Sequence, residues 1–306
     1  MRIGLVDVDG HNFPNLCLMK LSSFHKAKGD LVEFAIPFID YDKIYMAKVF
    51  DNTYTEDDIT VYQCKDIVKG GTGYGLNNKL PFEVEHIYPD YELYGIHDTA
   101  YGFLTRGCPR HCPFCIVGDK EGLVSHKVAD LSEFWTGQKY IKLLDPNIIA
   151  CADWEKLFMQ LIESNAKVDF TQGIDIRILN DEKAEMLNEV KLERVHFAWD
   201  NYPDGHCYKQ LKKFRKKLKF DGRKLGVYVL TNFNTTFEQD LDRVYRLREL
   251  DYNPYIMIYD KPKASKKLLM LQRWVNNKIV WRSCDRFEEY DATNNEKSEE
   301  FGETLF

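Results

Sequence analysis

The chain has 306 residues, 44% of them hydrophobic and 14% aromatic, enough apolar material for a sizeable core in one or two domains. No apolar run reaches membrane-spanning length. Asp7 and Asp9 close to the N-terminus are wrong for a secretory signal. The eight cysteines are too few for a disulfide scaffold at this length, and a net charge of −6 argues against a globally basic nucleic-acid binder. A cytoplasmic protein with reduced thiols and no membrane partner is the expectation.

Arg2 to Val8 reads as a buried strand. After the Asp9-Gly-His-Asn12 turn, Leu16, Met19, Leu21 and Phe24 recur at helical spacing, which predicts a helix from Phe13 to Lys28 closed by Gly29. Leu31–Ile36 and Lys43–Ala47 are two further strands. Strand, helix, strand, strand predicts a small Rossmann-like α/β domain with a parallel sheet, residues 1–98. Gly70-Gly-Thr-Gly-Tyr-Gly75 invites a phosphate-loop reading, but such a loop has to open a helix, and Leu76-Asn-Asn-Lys-Leu-Pro81 does not start one. A plain loop is expected there. Glu83 to His97, polar, rich in tyrosine and containing Pro89, reads as a linker.

The densest chemistry follows the apolar run Tyr101–Thr105. Thr105-Arg-Gly-Cys-Pro-Arg-His-Cys-Pro-Phe-Cys115 puts Cys108, Cys112 and Cys115 on one short loop, with Pro109 and Pro113 barring a helix. Thiolate is the ligand that iron–sulfur clusters demand. A four-iron cluster needs four ligands and this loop offers three, so one iron is left open for a small molecule, as in an open catalytic metal site. A rival reading is a Cys3His zinc site completed by His111 or His97. The protein would then be a non-catalytic zinc protein that holds nucleic acid. Structural zinc sites, however, usually draw on two separated pairs, and the chain has no second pair.

With Phe114 directly before the last cysteine, this Cys-x3-Cys-x2-Cys loop resembles the signature of the radical S-adenosylmethionine (SAM) superfamily. The resemblance implies a [4Fe-4S] cluster on Cys108, Cys112 and Cys115 whose open iron chelates SAM. It also implies reductive cleavage of SAM to a 5′-deoxyadenosyl radical, and a one-electron donor such as flavodoxin or ferredoxin. In pattern, residues 1–98 resemble the Rossmann-type domain that precedes the barrel in cobalamin-binding members. The Asp-x-His-x-x-Gly pattern that supplies a cobalamin ligand in many of them is absent, since Asn12-Phe13-Pro14 follows His11. Methylthiolation is disfavoured, because only Cys17 and Cys64 lie upstream where a second cluster would need three cysteines.

From Ala100 on, strands expected at 101–105, 139–144, 167–171, 194–199, 224–230 and 254–259 alternate with helices expected at 153–164, 181–190, 207–220, 236–250 and 265–275. Six strands in βα order are too few to close an eight-fold barrel and enough for a curved, laterally open one. The fold class is therefore α/β, a partial (β/α)6 barrel at 99–284 behind the Rossmann-like domain. A parallel barrel carries its chemistry at the C-terminal strand ends. These ends are polar here: Asp145-Pro-Asn147, Thr171 to Arg177, Asp200-Asn201, Thr231-Asn232 and Tyr259-Asp-Lys261. The resemblance implies that Asp145 and Asn147 meet the methionine amino group. It also implies that Gln172, Asp175 and Arg177 meet the ribose and carboxylate, and that Thr231 and Asn232 meet the adenine or ribose.

Tyr208 to Lys224 carries nine basic residues around Leu211, Phe214 and Leu218, a packed helix with a basic outer face. That face is either solvated or a dock for a nucleic-acid backbone or an acidic redox partner. Together with the lateral opening it favours a macromolecular substrate, nucleic acid or peptide. Ile279-Val-Trp281 is expected to be a short strand, and residues 285–306 an acidic, flexible tail.

Overall fold

A computed structural model describes residues 1–10, 13–50 and 61–290. The contacts divide the chain into two units, Met1–Gln172 with Glu189–Glu193, and Gly173–Asn188 with the chain from Arg194 onward.

The first unit opens with β1 (Arg2–Asp7), α1 (Leu16–Ala27), β2 (Leu31–Phe34), β3 (Lys43–Ala47) and β4 (Ile67–Gly70). The strands form one parallel sheet in the order β2-β1-β3-β4, as expected of a Rossmann-like layer. Alternation of side chains along the strands sorts two apolar faces. Ile3 and Leu5 pack with Leu18 and Leu21 of α1, while Ile44 and Met46 pack with Tyr41. Each such fully buried side chain contributes roughly 1.5–3 kcal/mol. Helix α1 starts where the Asn15 side chain accepts from the amides of Cys17 and Leu18 at 3.1 and 3.3 Å. It ends at Lys28, and Gly29 follows at φ +83°. No helix follows β4 through Pro81, which agrees with a loop at 70–75.

The expected linker is a packed part of this unit. α2 (Phe82–Glu85) buries Val84 against Ile3 and Leu18. Tyr91, 7% exposed, accepts from the Tyr101 amide at 3.0 Å, and its hydroxyl lies 2.7 Å from the Phe134 carbonyl. These bonds weld residues 83–97 to the next strand, so the contact boundary falls after Gln172, whereas the sequence suggests residue 98.

Next come β5 (Thr99–Gly102), the antiparallel pair β6 (Thr105–Arg106) and β7 (His126–Lys127) around α3 (Val117–Glu121), then β8 (Tyr140–Leu143), α4 (Trp154–Ser164) and β9 (Lys167–Phe170). β5, β8 and β9 are parallel in that order. Ile141, Leu143, Val168 and Phe170 are buried, the last stacked on Phe158 of α4 with ring centroids 5.7 Å apart. Their neighbours Tyr140, Lys142, Lys167 and Asp169 are half-buried on the other face.

The second unit holds α5 (Asp181–Glu189, its last residue in the first unit), β10 (Leu192–Ala198, entering from the first unit), α6 (Gly205–Arg215), β11 (Leu225–Thr231), α7 (Phe237–Glu249), β12 (Asn253–Ile258), α8 (Lys266–Asn276) and α9 (Lys278–Ser283). β10, β11 and β12 are again parallel neighbours. Along the chain, six strands thus alternate with helices as the sequence predicts. The strand expected at 279–281 is instead helix α9. Asn277 caps it, accepting from the amides of Ile279 and Val280 at 3.1 and 3.2 Å, and Trp281 meets Trp274 at 5.0 Å between centroids. The expected tail is also corrected in part. Phe287 and Tyr290 are 9% and 8% exposed, and the Phe287 amide donates to the Tyr245 hydroxyl at 2.9 Å. The remainder of that tail, 291–306, lies outside the described residues, as do His11 and Asn12, where the absent cobalamin-ligand pattern would fall. Among the described residues no helix is long and apolar enough to cross a membrane.

Candidate metal centre and strand-end residues

The cysteine loop is fastened at both ends by side chains distant in sequence. Where the chain leaves β5, Gly102 lies so near Phe134 that a Cβ there would stand 2.4 Å from its ring. Asp145, 3% exposed, then accepts from the Leu104 amide at 3.2 Å, from the Thr105 amide at 2.5 Å and from the Thr105 hydroxyl at 2.6 Å. Burial pushes its carboxyl up to about 6, against the pull of those three donors. Further on, Glu121 accepts from Arg106 at 2.9 Å and from the Gly107 amide at 3.1 Å. Gly107 has φ +81°, and a Cβ on it would stand 2.2 Å from the Val124 carbonyl oxygen. The Cys108 amide donates to Gly122 O at 3.1 Å and the Cys115 amide to Cys112 O at 3.0 Å.

Cys108 and Cys112 are half-buried and Cys115 is exposed. Ile116, Leu123 and Val124, which follow in the chain, show 49, 50 and 71% of their surface. Asn147, 2% exposed, donates from Nδ2 to the Cys108 sulfur at 3.7 Å, and its Oδ1 is buried with no hydrogen-bond partner among the described residues. Phe114 is half-buried between the last two cysteines.

Among the described residues no three His, Cys, Asp or Glu side chains are grouped as ligands of one metal ion. His97 is turned to Glu92 at 3.2 Å, and His111 is exposed, so the geometry lends a Cys3His zinc site no support. A cluster asks for something different, one thiolate on each of several irons. Three thiols spread along one anchored loop, an amide N–H aimed at one sulfur and an orphaned amide oxygen beside it fit that group.

The other strand-end candidates have protein partners or surface positions. Gln172 is exposed after β9. In the second unit, Arg177 Nε donates to Asp175 Oδ1 at 2.7 Å, and Asp204 lies 3.7 Å from the same guanidinium. Thr231 is fully buried and donates to Met257 O at 3.3 Å. Asn232, at φ +62°, donates to Tyr259 O at 2.8 Å and ties the ends of β11 and β12.

Arg243 belongs to no motif of the sequence. Its guanidinium is fully buried and donates to Trp199 O, to Leu230 O at 2.7 Å and to Asp240 at 2.6 Å, so one side chain clamps the ends of β10 and β11. Its signal was an acid–base pair three residues apart on the face of α7 that also carries the buried Val244 and Leu247.

The fold, a Rossmann-like α/β layer and, further along the chain, six parallel strands alternating with helices, is shared with a solved structure. That structure is the radical S-adenosylmethionine methyltransferase TsrM from Kitasatospora setae with cobalamin and [4Fe-4S] cluster bound. The likeness covers 84% of this chain and 74% of that one at 10% sequence identity and a TM-score of 0.59. No family model and no curated protein matches the chain.

Proposed function

We propose that the protein is a radical SAM enzyme whose [4Fe-4S] cluster is held by Cys108, Cys112 and Cys115. The observation that carries this is the three-cysteine loop directly after the first of six alternating strands, anchored by Glu121 and Asp145 and faced by the Asn147 amide. The fold likeness adds its support. When bound, the cluster would supply the electron that cleaves the SAM sulfonium, forming methionine and a 5′-deoxyadenosyl radical. The electron is proposed to come from flavodoxin or ferredoxin.

The chain's own part is placement. Glu121 fixes the entry to the loop. Asn147 Oδ1 is an acceptor suited to the ammonium of a methionine moiety. Asp145 has both oxygens engaged by Leu104 and Thr105, so its role is to position the loop. Arg177, held through its Nε by Asp175, is offered as a carboxylate binder. Gln172, Thr231 and Asn232 keep their proposed places after β9 and β11, and Phe114 its place beside the cluster.

Anaerobic reconstitution with iron and sulfide tests this. The expected product is a brown protein whose reduced form gives an electron-spin signal that changes on adding SAM, and Cys112→Ala loses both. Zinc without iron in the purified protein would sink the proposal.

A cobalamin-dependent methyl transfer is a second reading with an observation of its own. Phe34, Ile36, Phe38, Val49 and Phe50 expose 38 to 72% of their surface at or just beyond the C-terminal ends of β2 and β3. The strand order reverses between β1 and β3, and open parallel sheets bind ligands outside such a reversal. Hydroxocobalamin retained through gel filtration, with an altered absorption spectrum, supports it. Complete wash-out rejects it.

A further inference from the structure

Helix α6 presents a charged surface that the metal centre does not use. Its buried side is Cys207, Leu211 and Phe214. Several of the basic residues nearby are neutralised: Lys213 and Lys217 share Asp181 at 3.2 and 2.6 Å, Arg215 pairs with Asp251, and Arg223 pairs with Asp221 at 2.8 Å. Lys209, Lys212 and Lys216 differ. All three are exposed, and no acidic group pairs with any of them among the described residues.

Steps of three and four residues place these lysines on one stripe of the helix. Like charges so spaced repel each other, which costs the fold stability. The helix dipole offsets this for Lys212 and Lys216 at the C-terminal end, but not for Lys209 near the middle. A row of uncompensated cations, in a chain of net charge −6, is complementary to an anion from outside. From Lys209 to Lys216 the stripe runs about 10 Å at ~1.5 Å per residue. A nucleic-acid strand in a duplex advances about 3.4 Å of axis per phosphate, so the stripe spans about three phosphate steps.

We propose that this stripe docks the phosphate backbone of a nucleic acid. The contact reads charge and spacing and not base sequence. It does not rest on the metal-centre reading, since binding needs neither cluster nor SAM.

The test is fluorescence anisotropy of the full chain with a labelled single-stranded RNA and a labelled duplex DNA, titrated at about 50 and 200 mM salt. With about 0.7 to 0.9 counterions released per contact, three contacts give a log–log salt slope of about −2.1 to −2.7, a roughly 20- to 40-fold loss across that range. Changing Lys209, Lys212 and Lys216 together to Gln should remove that slope while circular dichroism stays unchanged. A control with Lys156, Lys191 and Lys266 changed to Gln, the same change in net charge, should keep it. If the triple variant fails to fold, Lys212→Gln alone should flatten the slope by about 0.7 to 0.9. The proposal is overturned if neither probe binds at low salt, if the triple variant binds like the parent, or if the control loses as much. Stripe-dependent binding of flavodoxin with no binding of either nucleic acid overturns it in favour of a protein partner.

Discussion

The amide of Asn147 lies with Nδ2 3.7 Å from the sulfur of Cys108, while its Oδ1 is buried with no hydrogen-bond partner among the described residues. A buried acceptor left without a partner costs about 1–3 kcal/mol, so this amide is better explained by what it faces than by the stability it lends. In the proposed cluster, an N–H directed at a ligand sulfur would withdraw charge from it and raise the potential. Asn147→Ala should therefore unfold within about 1 kcal/mol of the parent, yet the reconstituted cluster should titrate at a more negative potential. Spin-monitored redox titration checks this, and an unmoved midpoint in a fully loaded variant counts against it.

Asp145 makes a prediction about pH. Its carboxyl is pushed up to about 6 by burial, above the ordinary 3.8. The folded state thus holds this proton more tightly than the unfolded chain. The group's contribution is complete below about pH 4 and is lost as pH rises through 6, about 3 kcal/mol in all. Other carboxylates, such as Asp221, held down to about 2 by Arg223, act in the opposite sense. The comparison must therefore be differential. Urea unfolding at pH 4, 5, 6 and 7 should show the stability of the parent relative to Asp145→Asn falling across that interval. A constant difference would remove burial as the cause.

Gly107→Ala should damage the loop before any cofactor is considered. Its φ of +81° is strained for alanine, and the added Cβ would stand 2.2 Å from Val124 O, a backbone atom that cannot swing aside. A loss of about 1–3 kcal/mol is expected, with less iron retained after reconstitution. Thermal unfolding and metal analysis read the two effects separately. Wild-type values for both would show that the loop accommodates the methyl group.

Arg243→Met should be the most destabilising of these changes. It leaves the Asp240 carboxylate, 1% exposed, without its cation and strips donors from Trp199 O and Leu230 O. Breaking a buried pair in this way costs about 3–5 kcal/mol. Changing Asp240 to Leu in the same chain should recover part of that loss. A cost under about 1 kcal/mol in urea unfolding would show that water replaces the guanidinium.

Much of the architecture was legible in the residue order because strand and helix periods are local. All six strands of the alternating run between β5 and β12, helix α1 (expected from Phe13, though the Asn15 cap starts it at Leu16) and the three-cysteine loop each declare themselves within a dozen residues. What failed were judgements about surroundings. Tyr91 looked like linker until its hydroxyl met Phe134, 43 residues away, and Phe287 looked like tail until Trp274 and Tyr245 covered it. Ile279 to Trp281 carried strand-like residues, but the Asn277 cap and the packing on Trp274 made them helical.

The amino-acid order by itself determined most element types, the spacing of the thiols and the polar ends of the strands, since each follows from side chains that are neighbours in the chain. Only the tertiary structure decided that Asn147 reaches Cys108, that Asp145 is locked by Thr105, and that Arg243 joins two strand ends. Those contacts span 13 to 44 residues. Their geometry is set by which surfaces exclude water together, a property of the packed molecule that no local spacing encodes.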